Sequence, residues 1–307
     1  MRPGRKRRLR SVIAPNRHLL AKSTLYVTLE PCSHHGKTPP CSDLIINSGF
    51  RRVVVGCRDP FPEVNGSGIQ KLRQAGIEVT VGILEKECRS LNIAFFTAHT
   101  LKRPFITLKW AQSADGFIDH FRDRVAENQT TIHLDRPAKF SNDITTTMTH
   151  RLRSLNDAIA IGSETMILDN PKLNVREWSG NDPLKMVFDR RGRLNEINRV
   201  TDDEPGVFDI KNGEIDDILR NLYQTEGIIS ILIEGGAKVI QHCVNQGLWD
   251  FARIEVSPEC LSERGRVRAP ELPCQPVGSQ CIEHNNIYYY FNTSIHREEI
   301  PNHLLLC

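Results

Sequence analysis

The chain has 307 residues, a length that suggests two domains, and its 39% hydrophobic and 25% charged content is that of a soluble globular protein. The net charge of +3 does not make a basic nucleic-acid binder: residues 1–10 carry six basic and no acidic side chains, so the other 297 hold 34 Lys and Arg against 37 Asp and Glu, a net −3. Nine scattered cysteines argue against a secreted disulfide scaffold and predict reduced thiols in a cytoplasmic protein, and no run of about 18 apolar residues predicts a membrane span.

After the basic head, Thr24–Leu29 reads as a strand, Ser42–Ser48 as a helix stopped at Gly49, and Arg52–Val55 as a strand. Gly68–Ala75 follows as a helix stopped at Gly76, and Ile77–Val81 as a third strand. Helices separating short apolar strands predict an α/β sheet of mostly parallel strands. Residues 85–96 read as one closing helix, and Arg103-Pro104 starts something new, which places the domain boundary near 101: residues 1–101 and 102–307. In the second half, strands are expected at Phe105–Ala111, Ala158–Ile161, Lys185–Phe188, Ile228–Ile233, Phe251–Val256 and Ile287–Phe291. Helices are expected at Thr145–Leu155 and Ala237–Gln246, again an α/β pattern.

Three places carry chemistry. Cys32 and Cys41, nine residues apart behind the first strand, can supply two thiolate ligands where tetrahedral zinc takes four; two unpaired loop thiols are the competing reading. His34 and His35 could ligate metal, grip an anion or be solvated. Residues 228–237 run an apolar strand through Glu234-Gly235-Gly236 into a helix, a junction whose backbone N–H groups can hold a phosphate or form a ligand-free tight turn. Lys109 and Asp115 stand at the exit of the first strand of the second half; Lys109 is either a snorkelling edge residue or a positioned cation, and Arg153 and Arg176 are candidate phosphate forks.

These pieces occur together in one order. The stretch Tyr26–Gly36 with Thr38-Pro39-Pro40-Cys41, then Arg58-Asp59-Pro60 and Val64–Gly68, resembles the deaminase half of the bifunctional riboflavin-biosynthesis family that joins diaminohydroxyphosphoribosylaminopyrimidine deaminase to 5-amino-6-(5-phosphoribosylamino)uracil reductase. Lys109…Gly116, Gly162-Ser163-Glu164-Thr165, Asp169-Asn170-Pro171, Leu173, Arg176 and Glu234-Gly235-Gly236 resemble its reductase half.

The resemblance implies a cytidine-deaminase-like α/β/α domain followed by a dihydrofolate-reductase-like α/β domain, zinc and NADPH as cofactors, a phosphoribosylaminopyrimidine substrate and a homo-oligomer, while the composition argues against a membrane or nucleic-acid partner. It implies metal ligation by Cys32 and Cys41. It further implies substrate contacts at Lys109, Arg153, Leu173, Arg176 and Glu234, with Lys109 and Glu234 catalytic, and NADPH contacts at Ala111, Thr165, Asp169, Gly235 and Gly236. The family's His-x-Glu, a zinc ligand plus the proton shuttle, has no counterpart before Cys32, so the deaminase activity is expected to be impaired and the reductase to carry the function. A shifted reading frame at the start and decay of the site both produce that pattern. An RNA-binding or purely structural module with a basic arm is the alternative.

Overall fold

A computed structural model describes residues 13, 15–33, 39–60, 65–120, 137–194, 206–209 and 214–296. The basic head, His34 and His35 lie outside them. The chain divides into two compact units, Met1–Thr100 and Leu101–Cys307.

The first unit holds three parallel strands in the order β1 (Thr24–Leu29), β2 (Arg52–Cys57), β3 (Glu78–Val81). The Val53-Val54-Val55 run is buried, as expected for a central parallel strand covered on both faces. Helix α1 (Cys41–Ser48) starts behind Pro40, whose fixed φ suits a helix entry, and ends at Gly49 with φ 83°. Helix α2 (Ser67–Gln74) buries Ile69 and Leu72 against Ile45, Phe50, Val53 and Val55.

The expected single helix over 85–96 is instead two, α3 (Glu85–Leu91) and α4 (Ile93–Leu101). Asn92 breaks it. Its side-chain amide donates to the Cys88 carbonyl at 2.7 Å and reaches Thr28 Oγ1 on β1 at 3.4 Å, offering the backbone a local alternative to helix.

The second unit is built on an eight-stranded sheet. In order it runs β12 (Gly278–Ile282), β13 (Asn285–Phe291), β10 (Phe251–Val256), β4 (Phe105–Gln112), β9 (Ser230–Gly235), β6 (Ala158–Gly162), β7 (Leu184–Asp189) and β8 (Gly206–Asp209). The six strands from β10 to β8 are parallel, and β13 and β12 close one edge as an antiparallel hairpin. A short separate ladder pairs β5 (Phe117–His120) with β11 (Gly265–Arg268). Helices α5 (Asp143–Leu155), α6 (Ser163–Asp169), α7 (Ile215–Asn221) and α8 (Ala237–Asn245) connect the strands.

Two apolar clusters fill the faces of this sheet. One gathers Ile106, Leu108, Ala160, Phe188, Ile231 and Ile233 with Leu219 and Ile240; the other joins Leu152 and Met166 to Ile159, Ile161, Val187 and Leu232. The alternation of Ile231 and Ile233 against Leu232 between the clusters is the two-residue period of a strand covered on both sides.

Strand β9 starts two residues later than the expected Ile228, because Ile228 N–H is taken by the Leu222 carbonyl and Ile229 N–H by Asp157 Oδ2. It also runs further, carrying Glu234 and Gly235 inside the sheet. At the opposite end, Arg103 forks onto Asp250 at 2.6 and 3.0 Å, and Asp250 also accepts Ile106 N–H at 2.7 Å and bonds His296 Nε2 at 2.8 Å. This buried network ties the start of β4 to the start of β10.

Candidate functional site

In the first unit the Pro31-Cys32 turn leaves β1 and meets the start of α1. Cys41 N–H donates to Cys32 Sγ at 3.3 Å, while Ser42 closes on the Cys32 carbonyl through its N–H and its hydroxyl. The two cysteines predicted from spacing are thus brought together at a helix entry.

Glu30, two residues before Cys32, is fully buried. Its carboxylate accepts N–H groups of Asp59 (3.3 Å), Gly66 (3.0 Å), Gly68 (3.0 Å) and Ile69 (3.2 Å), so it caps α2 from outside that helix. All four bonds come from backbone, and Glu30 is held as a structural anchor instead of a proton carrier facing a ligand. Gly68 has no room for a side chain, since a Cβ there would fall 1.8 Å from the Pro31 carbonyl oxygen. Among the described residues no group of three His, Cys, Asp or Glu is placed to hold a metal ion. Two thiols are two ligands short of tetrahedral zinc, so the described donors do not by themselves fit the metal.

In the second unit, two adjacent strands and a helix bring charge to one place. Lys109 on β4 is buried next to Glu234 on β9, and Arg153 of α5 reaches down onto Glu234, with Nε to Oε1 at 2.8 Å and Nη2 to Oε2 at 2.6 Å. Arg153 Nη1 donates to the Asn174 carbonyl at 3.0 Å, linking the pair to the loop after α6.

Burial pushes the Lys109 ammonium below its usual range, and the nearby carboxylates of Glu234 and Glu255 only partly oppose this. Burial alone would raise Glu234, but the Arg153 guanidinium and then Lys109 outweigh it and hold the carboxyl below its usual value. Arg153 is lowered by burial and raised by Glu234, with a net rise, so this fork stays ionised.

The loop that follows α6 carries Leu173 and Arg176. Leu173 is buried with φ 52° and Asn170 has φ 39°, two non-glycine residues in the left-handed region. Such strained positions cluster at ligand sites. Arg176 keeps an exposed guanidinium while its N–H donates to His150 Nδ1 at 3.2 Å. His150, buried on α5 three residues before Arg153, is lowered by burial, then by Arg153 and Arg176, and so is the neutral acceptor that this bond requires.

At the end of β9 the Gly235-Gly236 turn passes Thr165 of α6. A Cβ on either glycine would lie 3.4 to 3.5 Å from the Thr165 side chain, and Gly236 has φ 77°. The turn is thus a narrow glycine-lined cradle at the start of α8, the kind of surface a dinucleotide phosphate approaches, and the residues fit NADPH in that respect. Ala111 lies at the C-terminal end of β4, in register with Glu255 of β10, and Asp169 is the last residue of α6.

Lys109, Arg153 and Glu234 are therefore gathered directly, Leu173 and Arg176 join through the Asn174 and His150 bonds, and Thr165, Gly235 and Gly236 form the neighbouring turn. Sequence reasoning missed His150, Arg253 and Glu255. The signals were present: a histidine one helical turn from Arg153, and two charges at alternating positions in the apolar strand Phe251–Val256.

The fold and these two sites define a two-domain protein, a cytidine-deaminase-like unit followed by a dihydrofolate-reductase-like unit. The family model for the cytidine and deoxycytidylate deaminase zinc-binding region matches residues 9–57, and that for the RibD C-terminal domain matches residues 104–286. The riboflavin biosynthesis protein RibD of Escherichia coli is 36% identical over 280 residues, covering 80% of this chain and 72% of that protein. That of Aquifex aeolicus is 34% identical over 264 residues, covering 78% and 70%.

Among solved structures, a diaminohydroxyphosphoribosylaminopyrimidine deaminase/5-amino-6-(5-phosphoribosylamino)uracil reductase from Thermotoga maritima matches with TM-score 0.69 and 34% identity over 87% of this chain and 78% of that one. Acinetobacter baumannii RibD matches with TM-score 0.73 and 26% identity over 90% and 83%. The chain belongs to the RibD family: it is a riboflavin-biosynthesis enzyme with a deaminase domain of zinc-binding type and an NADPH-dependent reductase domain. Membership favours the enzyme over the RNA-binding or purely structural module.

Proposed function

We propose that the second unit reduces 5-amino-6-(5-phosphoribosylamino)uracil to its ribitylamino product at the Lys109–Glu234–Arg153 cluster. The observation that carries this reading is the part-buried fork of Arg153 on Glu234 beside the buried Lys109, at the carboxyl ends of parallel strands, where open α/β sheets bind ligands. Ala111, Thr165, Asp169 and the Gly235-Gly236 turn would hold NADPH, which would supply the hydride that the ribose C1′ takes up. As the bond from C1′ to the ring oxygen opens, Lys109 donates the proton that the departing oxygen takes up, and Glu234 orients the substrate. Arg153, Leu173 and Arg176 line the phosphoribosylaminopyrimidine, with the exposed Arg176 fork suited to its phosphate.

Cys32 and Cys41 are the metal ligands of the deaminase domain in this reading. No His-x-Glu precedes them in residues 1–31, and the reductase is the activity this reading assigns to the chain. The domain boundary near 101, a cytoplasmic location and a homo-oligomer complete the proposal. Among the described residues no helix is long and apolar enough to cross a membrane.

The test is NADPH oxidation with the aminouracil substrate by the wild type and Lys109→Met. A loss of turnover of about 100-fold or more is expected on losing a positioned acid. Unchanged turnover in the variant would remove Lys109 from the site.

A further inference from the structure

Strand β10 carries two charges into the interior of the second unit. Arg253 and Glu255 are both fully buried, alternate with Ile254 and so point to the same face of the sheet. Arg253 is the register partner of Lys109 on the neighbouring strand, and its side chain shares that face.

The two buried charges are satisfied very differently. Glu255 receives Thr145 Oγ1 at 2.6 Å, Asn285 Nδ2 at 2.5 Å and Ser141 Oγ at 2.8 Å. It has its hydrogen bonds without any help from Arg253. Arg253 has only a long contact from Nη2 to Met148 Sδ at 3.9 Å, and its Nε and Nη1 find no hydrogen-bond partner among the described residues. A guanidinium cannot shed its charge, and one left buried and unpartnered lowers stability. Pairing with Glu255 does not account for it.

Its relation to Lys109 does. From β10, β9 and α5 the charge-bearing side chains facing Lys109 are Arg253, Glu255, Glu234 and Arg153, with His150, whose proton affinity burial lowers, behind Arg153. Two guanidinium side chains stand against two carboxyl side chains, so the Lys109 amine sits in a surround of balanced composition. Without Arg253 the surround would be net negative and would hold that proton tightly.

We infer that Arg253 is a positioning residue of the reductase, balancing the buried carboxylates around Lys109 so that its amine can release and regain a proton during turnover. Arg253 acts through Lys109 across one strand spacing and is itself too enclosed to touch substrate. The inference deepens the proposed role of Lys109 and rests on it for its catalytic meaning, but its physical content concerns the Lys109 amine alone. The repulsion between Arg253 and Lys109 works in the same direction as burial, toward an easily lost proton.

The experiment uses the full chain as wild type, Arg253→Met, Arg253→Lys and Glu255→Gln. Trace acetylation of Lys109 with acetic anhydride is followed across pH by peptide mass spectrometry, next to the pH profile of NADPH-dependent turnover. Arg253→Met is expected to move the Lys109 labelling midpoint up by about one pH unit or more, as loss of a close like charge requires. Arg253→Lys should stay near the wild type, and Glu255→Gln should move the midpoint down. The alkaline limb of turnover should follow each shift.

A midpoint that does not move in Arg253→Met overturns the inference. So does an Arg253→Lys midpoint displaced as far as that of Arg253→Met. If Arg253→Met fails to fold, Arg253→Lys and Glu255→Gln still decide, because an unmoved Glu255→Gln midpoint also refutes the charge balance. Labelling that shifts as expected while Lys109→Met retains full turnover would sink the catalytic role of Lys109 and leave the charge balance standing.

Discussion

Arg153 holds Glu234 by two parallel hydrogen bonds of 2.8 and 2.6 Å, one side chain from a connecting helix and the other from the end of a central strand. The planar fork fixes the carboxylate plane as well as its charge, and the remaining Arg153 nitrogen fixes the loop that carries Leu173. One contact therefore positions the strand end, the helix and the loop after α6 together.

Breaking this fork should cost both activity and stability. Arg153→Lys keeps the charge but not the two-pronged geometry, and reductase kcat/KM is expected to fall at least about 10-fold, roughly 1.4 kcal/mol. Arg153→Ala leaves Glu234 buried without its partner and should lower unfolding free energy by about 3 kcal/mol in urea titrations. Steady-state kinetics of Arg153→Lys indistinguishable from the wild type would contradict the assigned geometry.

Asp250 predicts an acid-sensitive fold. Burial alone would raise its carboxyl, but His296 and Arg103 outweigh it and hold the group below the usual carboxylate range. A depressed carboxylate stabilises the fold above its unfolded pKa of about 3.9 and loses that contribution as pH falls through the lower folded value. Asp250→Asn should destabilise by about 3 to 5 kcal/mol at pH 7, and its deficit against the wild type should shrink below about pH 4. Parallel denaturation curves at both pH values, with an equal deficit, would refute this.

The entry to α2 is set by a close approach. Gly68→Ala would drive a methyl group into the Pro31 carbonyl, and since both partners are backbone neither can turn aside. Poor expression or a severe loss of thermal stability is expected, with Cys32 displaced along with Pro31. Glu30→Gln should cost on the order of 3 kcal/mol, because an amide presents one oxygen and an NH₂ to four N–H donors. Wild-type melting of either variant would be incompatible with the packing described.

Zinc content gives a direct reading of the deaminase domain. With Cys32 and Cys41 as the only described ligands at the site, the purified 307-residue chain is expected to hold well under one equivalent of zinc by elemental analysis, and the partly exposed Cys41 thiol should alkylate faster than the buried Cys32. One tightly held equivalent, with Cys32 and Cys41 protected, would show that further donors complete the site.

Much of the fold was legible because its signals are local. The Val53–Val55 run, the glycine stop at 49 and the apolar strands Ala158–Ile161 and Phe251–Val256 all form the elements that their patterns predict. The helix break at Asn92 was not legible, since it depends on Thr28 being within reach of the Asn92 amide. Helices α6 and α7 and the edge strand β12 also escaped; they are short, and their stability comes from what they pack on more than from their own periodicity.

The sequence by itself determined the family and named the candidate site residues, because Pro31-Cys32…Cys41, Lys109 and Glu234-Gly235-Gly236 sit in short contiguous patterns. What only the tertiary structure decided is how their charges answer one another. Glu30 stands beside a catalytic-type motif, yet four backbone N–H groups from residues 59 to 69 make it an anchor. Arg253 and Glu255 are 144 and 146 positions beyond Lys109 in the numbering, and parallel strand pairing sets them at its side in the dry interior. There the Coulomb interaction is far stronger than in water, and its strength depends on through-space distance and burial, neither of which is written in the order of the residues.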